Sequence, residues 1–287
     1  MSSAALAAVP AAYQTIQVDP ITPTIGAEIS GVDLANLSDR QFDEIKRAFL
    51  THQVIFFRDQ EIDYRDQKAF GERFGPLHVH PAAPHLPDEP AVFVIHTHKD
   101  SKINNGERWH SDVSCELEPP LATMLHMHIL PPSGGDTMFA SMYAAYEALS
   151  DKMQRFLSGL TGVHESEHIY RGRYADRGVN DAGRVYPSAE HPVIRTHPDT
   201  GRPALYVNEL FTVRIKDMKP RESRALLDFL AKHVEDPIFS VRFRWSRHAV
   251  AFWDNRCAQH LALWDYWPHE RKGYRVTVKG DRPFYRP

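Results

Sequence analysis

Phe42, Ile45 and Phe49 recur at the three-to-four residue interval of one helix face, and Ser38 with Gln41 ahead of them has the spacing of a capping box. The same interval predicts a helix over about 64–74 that stops at Gly75. It predicts another starting near Ser150 with Met153, Phe156, Leu157 and Leu160, and a fourth after Pro220 carrying Leu226, Leu227, Leu230 and Val234. Between them lie short β-rich runs at 53–57, 91–97, 121–130, 204–208, 239–245, 249–253 and 274–279. Many short strands, few helices and no βαβ rhythm describe a mainly β fold with flanking helices, a double-stranded β-helix or jelly roll. No repeat and no Pro/Gly/Ser linker divides the chain, so residues 1–287 read as a single domain with a flexible tail at 1–13. Residues 164–191 break the pattern: polar, rich in Gly and Arg and without periodicity, they read as a lid or insertion loop, the alternative being a disordered surface excursion.

Composition narrows the partners. The 34 Lys+Arg are set against 37 Asp+Glu for a formal charge of -3, which provides no basic field for nucleic acid or an anionic membrane. No apolar run approaches the roughly 20 residues that span a bilayer. Two cysteines, Cys115 and Cys257, are too few for a disulfide framework and suit a reducing, cytoplasmic setting.

The chemistry concentrates in two segments. Trp109-His110-Ser111-Asp112 and Trp253-Asp254-Asn255-Arg256-Cys257-Ala258-Gln259-His260 together offer two imidazoles and one carboxylate, the donor set that holds a non-haem Fe(II) on one face and leaves the other open. On a strand or strand end, side chains at i and i+2 share a side, so His110 and Asp112 can reach one ion while the third ligand comes from a distant strand. Arg271 and Arg275 follow His260 in the chain, and a guanidinium clamps the far carboxylate of an organic acid co-substrate. Thr137 in Gly134-Gly135-Asp136-Thr137 can add a hydroxyl to that carboxylate, the paired glycines allowing backbone close to the site.

These elements, together with the segment 131–137 and His191 to Asn208, resemble the taurine dioxygenase family of Fe(II)/2-oxoglutarate-dependent oxygenases over most of the chain. The resemblance implies a jelly-roll core with Fe(II) on His110, Asp112 and His260, and 2-oxoglutarate and O2 as co-substrates. It further implies that Thr137 and Arg271 bind the distal carboxylate of 2-oxoglutarate, that Arg275 faces a small anionic organic substrate, and that His80 contacts it. Related halogenases lack a carboxylate at the position of Asp112, so its retention implies hydroxylation. Family members are commonly dimers or tetramers, so a homo-oligomer is expected.

Taurine-specific relatives carry an aromatic residue at the position of Ala83, an Asn at Gly106 and an aromatic at Cys115. Three smaller residues here imply a wider pocket, shaped by Val113, Phe211 and the 164–191 segment. The expected substrate is then a larger alkyl or aryl sulfonate or sulfate ester, with aryloxyalkanoates as runner-up. Two readings from other classes remain open: a zinc-dependent hydrolase on the same three ligands, and a non-catalytic metal-binding protein. Further His-x-His pairs at His78/His80, His96/His98 and His126/His128 bring no carboxylate or distant third ligand with them. Except for His80 they read as strand-surface histidines.

Overall fold

Ser38 caps the first helix as its spacing predicts: its side chain accepts from the Gln41 amide, and Gln41 returns the bond to the Ser38 backbone. In the computed structural model, which describes residues 12–287, this helix is α1 (Asp39–His52), preceded by β1 (Gln17–Pro20) and β2 (Ala27–Ser30). The expected tail at 1–13 lies, but for its last two residues, outside the described residues. There follow β3 (Val54–Phe57), α2 (Tyr64–Glu72), β4 (His85–Leu86), β5 (Glu89–Thr97), β6 (Ala122–Ile129), β7 (Thr137–Ser141), α3 (Met142–Glu147), α4 (Asp151–Leu157) and β8 (Thr161–Glu165). The chain continues through α5 (Glu167–Tyr170), β9 (Ser188–Pro192), β10 (Ile194–Thr196), β11 (Pro203–Leu205), β12 (Thr212–Ile215) and α6 (Pro220–Val234). It closes with β13 (Ser240–Phe243), β14 (Val250–Asp254), β15 (Ala258–Ala262) and β16 (Arg271–Val278).

The expected jelly roll is realised as a large sheet in the order β1-β2-β3-β14-β6-β16-β5-β4 facing the smaller sheet β13-β7-β15. Alternation along β6 assigns its faces: Leu125 and Met127 join the core between the sheets, while Ala122 and Met124 join a second core against α1 and α2. That outer core stacks Phe49 on Phe252, with Phe70 edge-on to the same ring. β14 is buried along its whole length, because it lies between β3 and β6 with a core on either face.

Helices end where local chemistry stops them. The second stops at Glu72 rather than 74, and the one after Ser150 stops at Leu157, leaving Leu160 beyond its end and Phe156 exposed. Strands without a marked alternation of their own, such as β1, β2, β8 and β15, were outside the sequence pattern; pairing with neighbours makes them strands. The expected loop at 164–191 has its ends in the β8–β9 ladder, where His164 faces Ala189 and Glu165 faces Ser188. The excursion proper is therefore 166–187, and it carries α5 and a short turn at Ala175–Arg177.

Candidate active site

The two sheets deliver different parts of the site. Phe139 and Ala258 belong to the inter-sheet core, so alternation turns Thr137 on β7 and His260 on β15 inward as well. From the large sheet, Arg271 and Arg275 sit two turns of the pleat apart on β16, opposite Thr97 and Phe93 of β5. His110 arrives by another route. It lies in the long connection from β5 to β6 and forms an isolated antiparallel bridge with His260. The His110 amide donates to the His260 carbonyl at 3.1 Å and the His260 amide donates back at 2.8 Å.

The expected strand geometry of His110 and Asp112 is corrected here. Only His110 is β-bridged; Asp112 opens a turn, and Val113 after it has a positive φ of 47°. Hydrogen bonds rather than strand pleat aim the carboxylate. The Thr123 hydroxyl donates to Asp112 Oδ2 at 2.7 Å, and the Asp112 amide donates to Asn255 Oδ1 at 3.2 Å. Asn255 in turn accepts from Trp253 Nε1 and donates to Thr123 Oγ1. Sequence reasoning assigns no role to Asn255 or Thr123; the position of Asn255, directly after the Trp253-Asp254 pair and five residues before His260, is the available signal. The turn that holds it is fixed by a buried ion pair of Arg256 with Asp254, a second pair of Arg256 with the exposed carboxylate of Asp199, and His197 on Asp254 at 3.0 Å.

His110, Asp112 and His260 are all buried and bring donor atoms within 4.8 Å of one another. His110 Nε2 lies 3.6 Å and His260 Nε2 3.8 Å from Asp112 Oδ1. The Arg108 carbonyl stands 2.7 Å from His110 Nδ1; a carbonyl only accepts, so Nδ1 carries the proton and Nε2 presents a lone pair inward. Burial pushes the His260 imidazole well below its ordinary range, with the neighbouring His110 adding to the effect, so it too is neutral. For Asp112 burial acts upward, but Arg275, His260, His110 and the Thr123 hydrogen bond outweigh it and hold the carboxyl well below the usual range. Two neutral imidazoles and one carboxylate in a buried cluster form a set that fits a divalent transition ion.

Two neighbouring cavities adjoin this cluster, both lined by His110, Gly106 and Arg275. The smaller, about 50 Å³, reaches Thr137 and Arg271. The Arg271 guanidinium is buried, spends Nε on the Gly135 carbonyl at 3.1 Å, and leaves Nη2 buried without a partner. Beside it Trp245 Nε1 donates to Thr137 Oγ1 at 3.0 Å, which leaves the hydroxyl proton to be donated elsewhere. The loop that carries Thr137 is held from behind, where the Gly135 amide donates to Asp265 at 2.7 Å. Gly134 has φ +76°, a left-handed backbone that favours glycine, and a Cβ on it would displace the Asp265 carboxylate that holds the Gly135 amide.

The larger cavity, about 260 Å³, has His80, Val113 and Phe211 in its wall, with Tyr170 and Tyr174 from the 166–187 excursion. His80 Nδ1 accepts from the Ala82 and Ala83 amides at 3.1 and 2.9 Å, so the proton sits on Nε2, which points toward the Tyr170 hydroxyl at 3.4 Å. Burial, with the Arg275 charge, lowers the His80 pKa to about 3. Arg275 is ion-paired with Asp112 at 2.9 Å while lining both cavities. Of the three small residues expected to widen the pocket, only Gly106 lies in its wall; Ala83 and Cys115 are packed in the core. Arg173 ties the excursion across the mouth by donating to Asn105 Oδ1 at 3.0 Å and to the Asn104 carbonyl.

Over residues 17–277 the chain matches the family described as taurine catabolism dioxygenase TauD, TfdA family. It is 35% identical over 292 residues to an alpha-ketoglutarate-dependent sulfate ester dioxygenase of Pseudomonas putida, covering 99% of this chain and 95% of that one. With an alpha-ketoglutarate-dependent sulfonate dioxygenase of Saccharomyces cerevisiae it shares 34% over 283 residues, 93% of this chain and 68% of the relative. A crystal structure of a taurine dioxygenase from Burkholderia xenovorans superposes with a TM-score of 0.81 at 37% identity, over 94% of this chain and 93% of the other.

Proposed function

Because this chain belongs to the taurine catabolism dioxygenase TauD, TfdA family, we propose that it hydroxylates a small organic anion at the carbon bearing a sulfonate or sulfate-ester group. It is a dioxygenase that consumes 2-oxoglutarate (alpha-ketoglutarate) and O2, as its relatives' names state of them. The substrate C–H becomes C–OH as 2-oxoglutarate is converted to succinate and CO2; the hydroxylated carbon then expels sulfite or sulfate, leaving an aldehyde or ketone. The observation that carries this reading is the buried, unpartnered Arg271 Nη2 in a cavity contiguous with the His110, Asp112 and His260 cluster. A buried guanidinium nitrogen without an acceptor is costly unless an anion completes it.

His110, Asp112 and His260 would hold Fe(II), which when bound supplies the activation of O2. Arg271 and Thr137 bind the distal carboxylate of 2-oxoglutarate, the guanidinium by charge and the hydroxyl by donation. His80 offers a neutral Nε2–H to the anionic head of the substrate, and Arg275 adds positive charge to the same space. Val113, Phe211, Tyr170 and Tyr174 exclude water and orient the carbon chain, and Arg173 holds the covering segment down. The protein's contribution is thus placement and desolvation.

A panel of anions tests the assignment: alkyl and aryl sulfonates, alkyl sulfate esters, aryloxyalkanoates and taurine, each with Fe(II), 2-oxoglutarate and air. Succinate formed in step with sulfite or sulfate is expected, with larger anions faster than taurine. Phenol release as the fastest reaction would move the substrate to aryloxyalkanoates, and release of product without O2 would replace the oxygenase reading with a hydrolase.

A further inference from the structure

A second group of histidines lies on the opposite face of the large sheet from the cavities. His126 and His128 alternate with Leu125 and Met127 on β6 and so point outward, on the side where Met124 meets the helices. His248, just ahead of β14, shares the parity of Val250 and Phe252, which also face outward. Its backbone is bonded to β6, the His248 amide donating to the Met127 carbonyl at 3.1 Å. The three side chains bring ring nitrogens within 4.8 Å of one another. The fold thus brings a third imidazole, distant in sequence, to the His126/His128 pair.

What sets this cluster apart from packed surface histidines is its unmet bonding. His126 is fully buried, and neither of its ring nitrogens completes a hydrogen bond, although the Gln60 backbone lies near enough to favour the protonated ring slightly. His128 Nε2 and His248 Nδ1 are likewise buried and unpartnered. Orphaned buried polar atoms are rare, and four in one cluster call for an acceptor of lone pairs or a donor of protons. A proton is disfavoured: burial and the neighbouring His128 hold His126 at a pKa of about 3, and burial, His248 and Lys272 lower His128. Neutral imidazoles in proximity are instead the form that ligates metal. His248 also adopts a left-handed backbone, φ 59°, a strained conformation for a residue of this kind, stored where its side chain meets the other two.

We propose that His126, His128 and His248 form a second metal site, separate from the cluster in the cavity, which takes a divalent ion of borderline softness such as Zn²⁺ through three imidazole nitrogens, with water as a fourth ligand. Imidazole suits zinc, copper and nickel, and the absence of a carboxylate from this set disfavours Mg²⁺ and Ca²⁺. Bond lengths of about 2.0–2.1 Å require small rotations of the rings toward a common centre. His128 and His248 are only half-buried, so the ion has a path from solvent. Bound there, it would cross-link β6, which pairs with Arg275 on β16 at Leu125, to the segment entering β14, which leads into the Asn255 turn.

Metal-free protein is loaded with Zn²⁺ alone, desalted, and its metal counted per chain by elemental analysis, with circular dichroism in the absence of zinc as the check on folding. His128→Ala and, independently, His248→Asn, which tolerates the left-handed backbone, should each bind one zinc fewer per chain than the wild type and lose part of the zinc-induced rise in Tm. Folded variants that retain the wild-type zinc count and the full rise in Tm overturn the proposal.

Discussion

Arg271 carries the most specific expectation at the level of one residue. Arg271→Ala removes a buried, charged donor from the proposed 2-oxoglutarate site, which should weaken 2-oxoglutarate binding by about 10–100-fold, the equivalent of about 1.5–3 kcal/mol for a hydrogen bond to a charged group. Spectroscopic titration with 2-oxoglutarate under anaerobic Fe(II) reads this directly; unchanged affinity would remove the co-substrate from this cavity. Asn255→Ala severs the bonds to the Asp112 amide, Trp253 and Thr123 together. It should cost about 2–3 kcal/mol of stability through unsatisfied buried groups, and iron affinity should fall with it, both measurable by denaturation and by metal retention. That His110, Asp112, His260, Thr137, Arg271 and Arg275 gather in one place was legible in the sequence because such a combination of side chains is rare. Asn255 and Thr123 were not, since a turn amide and a strand hydroxyl look the same whether they face solvent or hold a ligand carboxylate. Ala83 and Cys115 misled for the reverse reason: residue size was readable, but not whether the residue lined the cavity or the core.

Among the elements, the 166–187 excursion is the part with least support from its own sequence. Arg173 fastens it to the Asn104-Asn105 turn, and two of its tyrosines complete the cavity wall. Arg173→Ala should therefore raise the KM for the sulfonate or sulfate ester several-fold while leaving 2-oxoglutarate affinity near the wild-type value, and should hasten proteolytic cutting within 166–187. Equal effects on both substrates would mean that the segment supports the whole site rather than its outer part. The helices with a clear apolar stripe were readable from periodicity, as Phe42, Ile45 and Phe49 illustrate. β15 was not, because Ala258-Gln259-His260-Leu261-Ala262 has no strand signature. Its conformation comes from the ladder with β7, where His260 faces Phe139.

For the whole molecule, the histidines set the acid limit. His164 and His191, ring centroids 5.1 Å apart, are both buried; burial, with the charge of its neighbour, takes His164 well below its usual range, and burial takes His191 down to about 4. Their folded pKa values lie below the unfolded value of about 6.5, so the unfolded chain binds more protons between the two. The stability they contribute is present in full above pH 6.5 and is lost as pH falls toward 4, by as much as ~2 kcal/mol per histidine at pH 5. Tm measured on metal-free protein should decline from about pH 6.5 downward; a flat profile to pH 5 would show that these rings are solvated. The jelly roll itself was legible from the spacing of short apolar runs. The order of strands in the large sheet was not, since it depends on pairings between residues more than a hundred positions apart, such as Val54 with Trp253.

The paired backbone bonds between His110 and His260 separate what can change in this protein from what cannot. Two proposed ligands that hold each other by the peptide chain have their backbone spacing set before any side chain rotates, so the bite they would offer a metal starts from a β-bridge. The 166–187 excursion lies beyond that bridge and could be lengthened, shortened or exchanged without altering it. Reshaping of the substrate cavity by loop grafting should therefore preserve iron loading, whereas a single-residue insertion between Asn255 and His260 would shift the register and dismantle the centre even though every ligand remained in the sequence.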